Sequence, residues 1–362
     1  MEKKGRIYMA KVLVKGNEAL AEAAIRAGCR LFFGYPITPQ TEVSAYMAKR
    51  MPKVGGLFLQ AESEVAAINM VYGAGGAGAR VMTSSSSPGI SLKSEGISYI
   101  AGADVPCVIC NIVRGGPGLG GIQPAQSDYF QAVKGGGHGD YHMIVLAPSS
   151  IQEMVDLTSD AFNLADEYRM PVMIMGDGML GQMMEPVEFP EEGENAVVAE
   201  KGWATTGTRM KRKHNVINSL YINAKELEDT VLARQKKYDA IVENETRCEV
   251  VDADDADIIL VAYGTTARIA KTAMAKAREM GYKVGLIRPI TLWPFPAEAF
   301  QKVADGKKKF LAVEMSMGQM VEDVRLSVNG RGEVDFFGRT GGIIPTPNEI
   351  VEKIVELAGG AK

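Results

Sequence analysis

Residues 57–87 read LFLQAESEVAAINMVYGAGGAGARVMTSSSS. A short strand-like run leads into a turn with two carboxylates, Glu62 and Glu64, and the apolar stretch that follows places Val65, Ile68 and Tyr72 at helical spacing. Ser63 suits the N-cap of that helix, and Glu64 falls in its first turn, where a carboxylate complements the helix dipole. A second strand, "ARVMTS", then ends in the hydroxyls of Thr83 to Ser87, and Pro88 suits the first position of another helix. Strand, turn, helix and strand in this order make one unit of a parallel sheet covered by helices. Dipole complementation by itself accounts for Glu64, and so does a chemical role.

The same alternation extends outward. From Gly16 to about Pro190 the strand-like runs are "CRLFFGYP", "VGGLFLQ", "ARVMTS", "PCVICNIV", "MIVLAP" and "PVMIMG", separated by helical stretches such as "EVSAYMAKRM". A charged, weakly apolar segment follows, in which "KELEDTVLARQKKYDAIVEN" places Leu227, Val231, Tyr238 and Ile241 near helical spacing. From Ala256 a second alternating unit runs through "ADIILVAYG", "KVGLIRPI", "KFLAVEMS" and "VDFFGR" to a last helix in "TPNEIVEKIVELAGG". The expected organisation is a first α/β domain over 8–190, a linker with one amphipathic helix over 191–254, and a smaller α/β domain over 255–362.

Composition narrows the function classes. The chain has 362 residues, 46% hydrophobic and 23% charged, enough apolar material for two cores. Its net charge of -4 arises from 40 basic and 44 acidic residues without a long single-sign block, so neither nucleic acid nor an anionic membrane is expected as a partner. The opening "MEKKGRIYMAKVLVKG" has no apolar core of a signal peptide, and no segment reads as membrane-spanning, which predicts a cytoplasmic protein. Cys29, Cys107, Cys110 and Cys248 are too scattered for a disulfide framework; Cys107 and Cys110, three apart on a strand, face opposite sides and do not readily grip one metal. Neither unit shows G-x-G-x-x-G after its first strand, so the main signal of a nicotinamide-binding domain is missing.

In an open α/β sheet, ligands bind beyond the carboxyl ends of the strands. The turn "GYPITPQT" holds the chain extended around Thr38 between Pro36 and Pro39, although Pro39 equally suits a helix start. "VRGGPGLGGIQPAQSDY" puts Arg114 between a strand and a Gly-rich loop, where a guanidinium is placed either to pair with a carboxylate or to sit solvated at the sheet edge. "GGGHGDYH" carries His138, Asp140 and His142 among glycines and reads as a ligand-facing loop rather than a metal site. "MGDGMLGQ" has the Gly-Asp-Gly that begins a diphosphate-binding signature but lacks the downstream asparagines, so Asp177 is read as a strand-end residue.

Taken together, "GYPITP", "QAESEVAA", "TSSSSPGISL", "RGGPG", "QSDY" and "GHGD" resemble the alpha subunit of 2-oxoacid:ferredoxin oxidoreductases, nearest to the 2-ketoisovalerate type. The resemblance covers nearly the whole chain. It implies a thiamine diphosphate pyrimidine-binding domain followed by a transketolase C-terminal-like domain. It also implies oxidative decarboxylation of a 2-oxo acid to acyl-coenzyme A and carbon dioxide with reduction of ferredoxin.

By the same resemblance, Glu64 is the acid that hydrogen-bonds N1′ of the cofactor's aminopyrimidine, with Pro36 and Ser86 as further cofactor contacts, and Glu62 is only its neighbour. Such a role needs a carboxylate in a dry, fixed place. Thr38 and Arg114 are the implied substrate contacts. The chain lacks a diphosphate- and magnesium-binding signature and a cysteine set for a cluster. Thiamine diphosphate is therefore expected to be shared with a partner subunit, and magnesium and iron-sulfur clusters are expected on partner subunits: a diphosphate-binding beta, a gamma and a ferredoxin-like delta. Two other readings remain: the beta chain of a 2-oxoacid dehydrogenase, disfavoured by "GYPITP" and "GHGD", and a noncatalytic subunit of an electron-transfer complex.

Overall fold

The computed structural model describes residues 11–193 and 200–359. The expected start of the first domain at residue 8, residues 194–199 of the linker and the expected end at 362 lie outside the described residues. The first half of the chain contributes strands β1 (Val12–Lys15), β2 (Leu31–Gly34), β3 (Leu57–Gln60), β4 (Val81–Ser85), β5 (Cys107–Val113), β6 (Ile144–Leu146), β7 (Pro171–Asp177) and β8 (Met184–Val187). The second half contributes β9 (Cys248–Val251), β10 (Ile258–Val261), β11 (Val284–Pro289), β12 (Thr291–Trp293), β13 (Lys309–Glu314) and β14 (Glu333–Gly338).

The main sheet runs β12-β6-β7-β5-β4-β2-β3 and is parallel apart from the β12–β6 pairing. β5 and β7 are buried along their whole length, as near-continuous apolar runs must be when helices cover both faces of a sheet. Cys107 packs in the core on one face of β5 and Cys110 in the core on the other, as the two-residue period of a strand requires. The second sheet runs β14-β13-β10-β11-β9, parallel except for β9, and is covered by helices that include Gly264–Glu279 and Pro347–Leu357. The last of these begins with a capping box between Thr346 and Glu349, legible in "TPNE".

Several features go beyond the sequence expectations. β1 and β8 pair as an antiparallel ribbon, β12 crosses over to extend the first sheet beside β6, a helix spans Met320–Val328, and β9, inside the segment expected as linker, pairs with β11 as an edge of the second sheet. The linker helix, Ala224–Glu245, buries Tyr238 and Ile241 as its spacing predicted, but Leu227 is 42% exposed. Only the C-terminal half of this helix lies on the first unit, where Tyr238 meets Trp293 and His142 edge-on.

The two sheets are tied by the segment after the Gly-rich loop. Gln126 donates from Nε2 to Tyr263 O at 2.9 Å, accepts from Thr266 and from the Met315 amide, and its own amide donates to Met315 O. This side chain is buried with both its amide nitrogen and its amide oxygen hydrogen-bonded, as a polar group at a packed junction must be.

Within the main sheet the chain passes from β2 outward to β3 and returns to β4 on the other side of β2. The strand order therefore reverses between β2 and β4, and the crevice beyond their carboxyl ends is the expected place for a ligand.

Candidate active site

The carboxyl edge of the main sheet collects the candidate residues. Asp177 ends β7, Arg114 follows β5, Ser86 follows β4, the loop with Pro36 and Thr38 follows β2, and Glu64 begins the helix that returns from β3 to β4. These positions are far apart in sequence. The shared strand direction brings them to one edge.

Glu64 is the first residue of the helix Glu64–Gly76, which Ser63 caps through its side chain with the Ala66 amide. Its carboxyl is buried, yet no hydrogen bond holds it among the described residues. The facing helix, Pro88–Gly102, comes close enough that a Cβ on Gly89 would stand 2.7 Å from Glu64 Oε1 and collide with Ser85 Oγ. The Ser85 and Ser86 hydroxyls are likewise buried without partners among the described residues. Unpaired buried polar groups are costly, and a cluster of them at a strand-end crevice signals something else to bond. Glu62 by contrast is exposed and accepts only the Ser63 hydroxyl, at 3.1 Å.

Arg114 is buried and grips two loops. Nη1 donates to Thr38 O at 2.9 Å and Nη2 to Leu119 O at 3.0 Å, while Nε is buried without a partner among the described residues. The Thr38 side chain and Pro36 are exposed. Arg114 also meets Ser87, whose φ of 33° lies in the left-handed region that a serine rarely adopts. That strain is held from three directions. The Ser87 amide donates to Asn111 Oδ1, its hydroxyl donates to Arg114 O, and the same hydroxyl accepts from the Arg114 amide. Asn111 in turn donates to Asp128, the acid of "QSDY", whose pKa is raised by burial.

The other sequence candidates have structural partners. Asp177 caps a short helix by accepting from the Met179 and Leu180 amides, and burial raises its pKa. His142 stacks on Trp293 with centroids 4.6 Å apart, and burial lowers its pKa. His138 lies edge-on to Tyr99. One participant escaped sequence reading. Lys93 is fully buried, one turn beyond Gly89 on the same helix, and donates to Thr83 Oγ1 at 2.7 Å. A lysine four residues after the glycine, on an otherwise apolar helix face, was the available signal.

A cavity of about 890 Å³ lies elsewhere, between Glu153, Arg268 and Arg288. Its charges are largely satisfied by one another: Arg288 meets Glu153 at 2.8 Å and Glu249 at 2.7 Å. The unpaired groups at the strand edge mark the better candidate.

Comparison with known proteins shows the family. Residues 22–252 match the family "Pyruvate flavodoxin/ferredoxin oxidoreductase, thiamine diP-bdg", and residues 256–350 match "Pyruvate:ferredoxin oxidoreductase core domain II". The chain belongs to this oxidoreductase family. Its relatives include ketoisovalerate oxidoreductase subunit VorB of Methanothermobacter thermautotrophicus, 52% identical over 97% of this chain and 99% of that protein. Another is 2-oxoglutarate synthase subunit KorA of the same organism, 37% identical over 95% and 98% of the two chains.

Among solved structures, 2-oxoglutarate:ferredoxin oxidoreductase from Magnetococcus marinus, with 2-oxoglutarate, coenzyme A and succinyl-CoA bound, superposes with a TM-score of 0.87 at 29% identity. The match covers 96% of this chain and 65% of that one. A split-gene transketolase in an inactive beta4 tetramer, with a TM-score of 0.59 and 13% identity, shares the fold.

For a member of this oxidoreductase family, the residues present fit one side of a thiamine diphosphate site. The edge supplies a buried carboxylate and two hydroxyls, none with a hydrogen-bond partner among the described residues, and a glycine where any side chain would collide with that carboxylate.

Proposed function

We propose that this chain supplies the pyrimidine side of a shared thiamine diphosphate site in a cytoplasmic 2-oxoacid:ferredoxin oxidoreductase. The enzyme converts a 2-oxo acid, of the branched-chain 2-ketoisovalerate type, and coenzyme A to acyl-coenzyme A and carbon dioxide, with electrons passed to ferredoxin. The observation that carries the reading is Glu64, a buried carboxylate without a hydrogen bond at the topological switch of the sheet. The similarity to ketoisovalerate oxidoreductase subunit VorB supports the substrate class.

When bound, thiamine diphosphate supplies a nucleophilic carbon and an electron sink for loss of carbon dioxide. Glu64 shares a proton with N1′ of the aminopyrimidine and so tunes the basicity of the ring. Gly89 leaves the room this needs, and Pro36 and Ser86 line the same edge. Arg114 and the Thr38 hydroxyl hold the carboxylate and carbonyl end of the 2-oxo acid, with Arg114 also bracing the Thr38 loop from behind.

The rest of the site comes from other chains: magnesium and the diphosphate contacts from a beta subunit, and iron-sulfur clusters from gamma and ferredoxin-like delta subunits. Exposed Leu57 and Leu59 on β3, Val65 on the helix that carries Glu64 and Leu92 on the helix that carries Gly89 suit coverage by such a partner. Among the described residues, no helix is long and apolar enough to cross a membrane.

Co-purification tests the reading. The tagged chain should bring down diphosphate-binding and ferredoxin-like partners with stoichiometric thiamine diphosphate and iron, whereas the chain alone should hold neither. Tight cofactor binding or cluster absorbance in the isolated chain contradicts it.

A further inference from the structure

β5 is buried along its whole length and apolar but for one residue, Asn111, whose side chain is itself fully buried. An amide in that position needs partners for both its nitrogen and its oxygen. Asn111 has them: Oδ1 accepts from the Ser87 amide at 3.1 Å, and Nδ2 donates to Asp128 Oδ2 at 3.0 Å. The orientation is forced, because a backbone amide only donates, so Oδ1 must face Ser87 and Nδ2 is left for Asp128.

The Ser87 turn needs such support. Its φ of 33° is strained for a serine, and a strained residue persists only where its surroundings over-determine it, most often at a ligand site. Ser86, just before the turn, carries a buried hydroxyl without a partner among the described residues. Arg114 is joined to the Ser87 hydroxyl by both its amide and its carbonyl, at 3.0 and 3.2 Å. Asp128 is fixed from the other side: Gln319 of the second unit donates to Ser127 O and accepts from the Phe130 amide, both at 2.8 Å, and the Tyr129 hydroxyl donates to Asp323 at 2.6 Å.

We infer that Asp128 is a positioning residue acting through Asn111: the pair holds the Ser87 turn in its strained form, and the turn sets where Arg114 stands toward the carboxylate of the 2-oxo acid. The inference rests on the reading of Arg114 as a substrate contact. Without the Asp128 acceptor, the Asn111 amide loses the partner that fixes its orientation, and the Ser87 amide loses a fixed acceptor. The turn then relaxes toward ordinary backbone angles. Arg114 moves with it, since the Ser87 hydroxyl bonds its main chain through both amide and carbonyl.

The test uses the assembled, cofactor-loaded complex, with kcat and KM for the 2-oxo acid expressed per bound thiamine diphosphate. Asp128→Ala should raise KM by about tenfold or more and change kcat less, because a displaced anchor weakens substrate binding first. Asp128→Asn, whose carbonyl oxygen still accepts from Asn111, should recover most of that loss. Asn111→Ala should repeat the defect. In Arg114→Ala, Asp128→Ala should add no further rise in KM, because changes that act through one group are not additive.

A purely structural Asp128 predicts a lower melting temperature with wild-type KM in the loaded complex, and that result overturns the inference. So does a KM defect in Asp128→Ala that adds in full to that of Arg114→Ala. The Arg114 variant keeps two failures apart. Unchanged KM in Arg114→Ala sinks the reading of Arg114 and the inference with it, whereas raised KM there with wild-type KM in Asp128→Ala sinks only the role of Asp128. Should Asp128→Ala not assemble, Asp128→Leu, which fills the space of the carboxylate without accepting, is read in its place by the same cycle.

Discussion

Arg114 holds Thr38 by its backbone: Nη1 donates to the Thr38 carbonyl oxygen at 2.9 Å, and Nη2 reaches the Leu119 carbonyl of the Gly-rich loop. The two residues expected to contact substrate are thus bound to each other before any substrate arrives. A charged fork on two carbonyls orders both loops, and preorganised loops lower the entropic cost of binding.

Arg114→Ala and Thr38→Ala should therefore raise KM for the 2-oxo acid in the assembled enzyme while thiamine diphosphate content stays near wild type. Loss of one charge-assisted hydrogen bond typically costs about 1.5 to 3 kcal/mol, so the Arg114 variant should lose roughly tenfold or more in kcat/KM. Thr38→Ser keeps the hydroxyl and should stay close to wild type. Steady-state kinetics with a cofactor assay checks this, and unchanged KM in both alanine variants removes the assignment.

For Glu64, one conservative change separates a helix-dipole role from a chemical one. If the carboxylate only complements the helix N-terminus, Glu64→Gln costs at most about 1 kcal/mol of stability and leaves exchange intact. If it shares a proton with N1′, C2 proton exchange of bound cofactor should slow by roughly 10²-fold or more, the usual scale for a positioned acid-base group. Glu62→Gln, at an exposed residue, is the internal control and should exchange normally.

Gly89 offers a steric version of the same test. Gly89→Ala places a methyl against Glu64 Oε1 and Ser85 Oγ, so cofactor content and C2 exchange should both fall by tenfold or more, on the scale of about 1 to 3 kcal/mol for overpacking a tight contact. Gly73→Ala lies on the same helix as Glu64 with open space around it, and should change neither. A small gain in stability, up to about 1 kcal/mol, is expected there because alanine is the better helix former. Thermal melts and bound-cofactor assays on the two variants read both effects.

The buried lysine predicts a pH dependence of stability. Its pKa falls from 10.5 to about 7 on burial, so between these values the unfolded chain binds the extra proton. Stability from this group is greatest above the unfolded value and is lost as pH falls toward 7. Lys93→Met should remove that slope, with a stability gain relative to wild type that is larger at pH 7 than at pH 10, by a few kcal/mol at most. Denaturant unfolding at several pH values measures it. A parallel pH profile in the two proteins contradicts the buried charge.

The amino-acid sequence by itself determined the strands of both main units, because a strand buried on two faces must be a continuous apolar run and a turn between strand and helix must carry Gly, Pro or a capping residue. It likewise placed Glu64 at the head of a helix, since Ser63 and the spacing of Val65, Ile68 and Tyr72 are local signals. The C-terminal half of the linker helix was legible for the same reason.

Only the tertiary structure decided which of these local features meet. β12 is three residues long and has no period of its own, so its pairing with β6 depends on the second unit being docked. The bond from Arg114 to the Thr38 carbonyl joins positions 76 residues apart, and sequence spacing carries no information about such a contact. Lys93 drew no reading from the sequence, where nothing nearby is acidic except the exposed Glu95; its burial and its bonds to Thr83 and Ser84 follow from the packing of its helix over the end of β4. Chemistry at this edge depends on distances set by the packing of parallel strands, and those distances exist only in the folded chain.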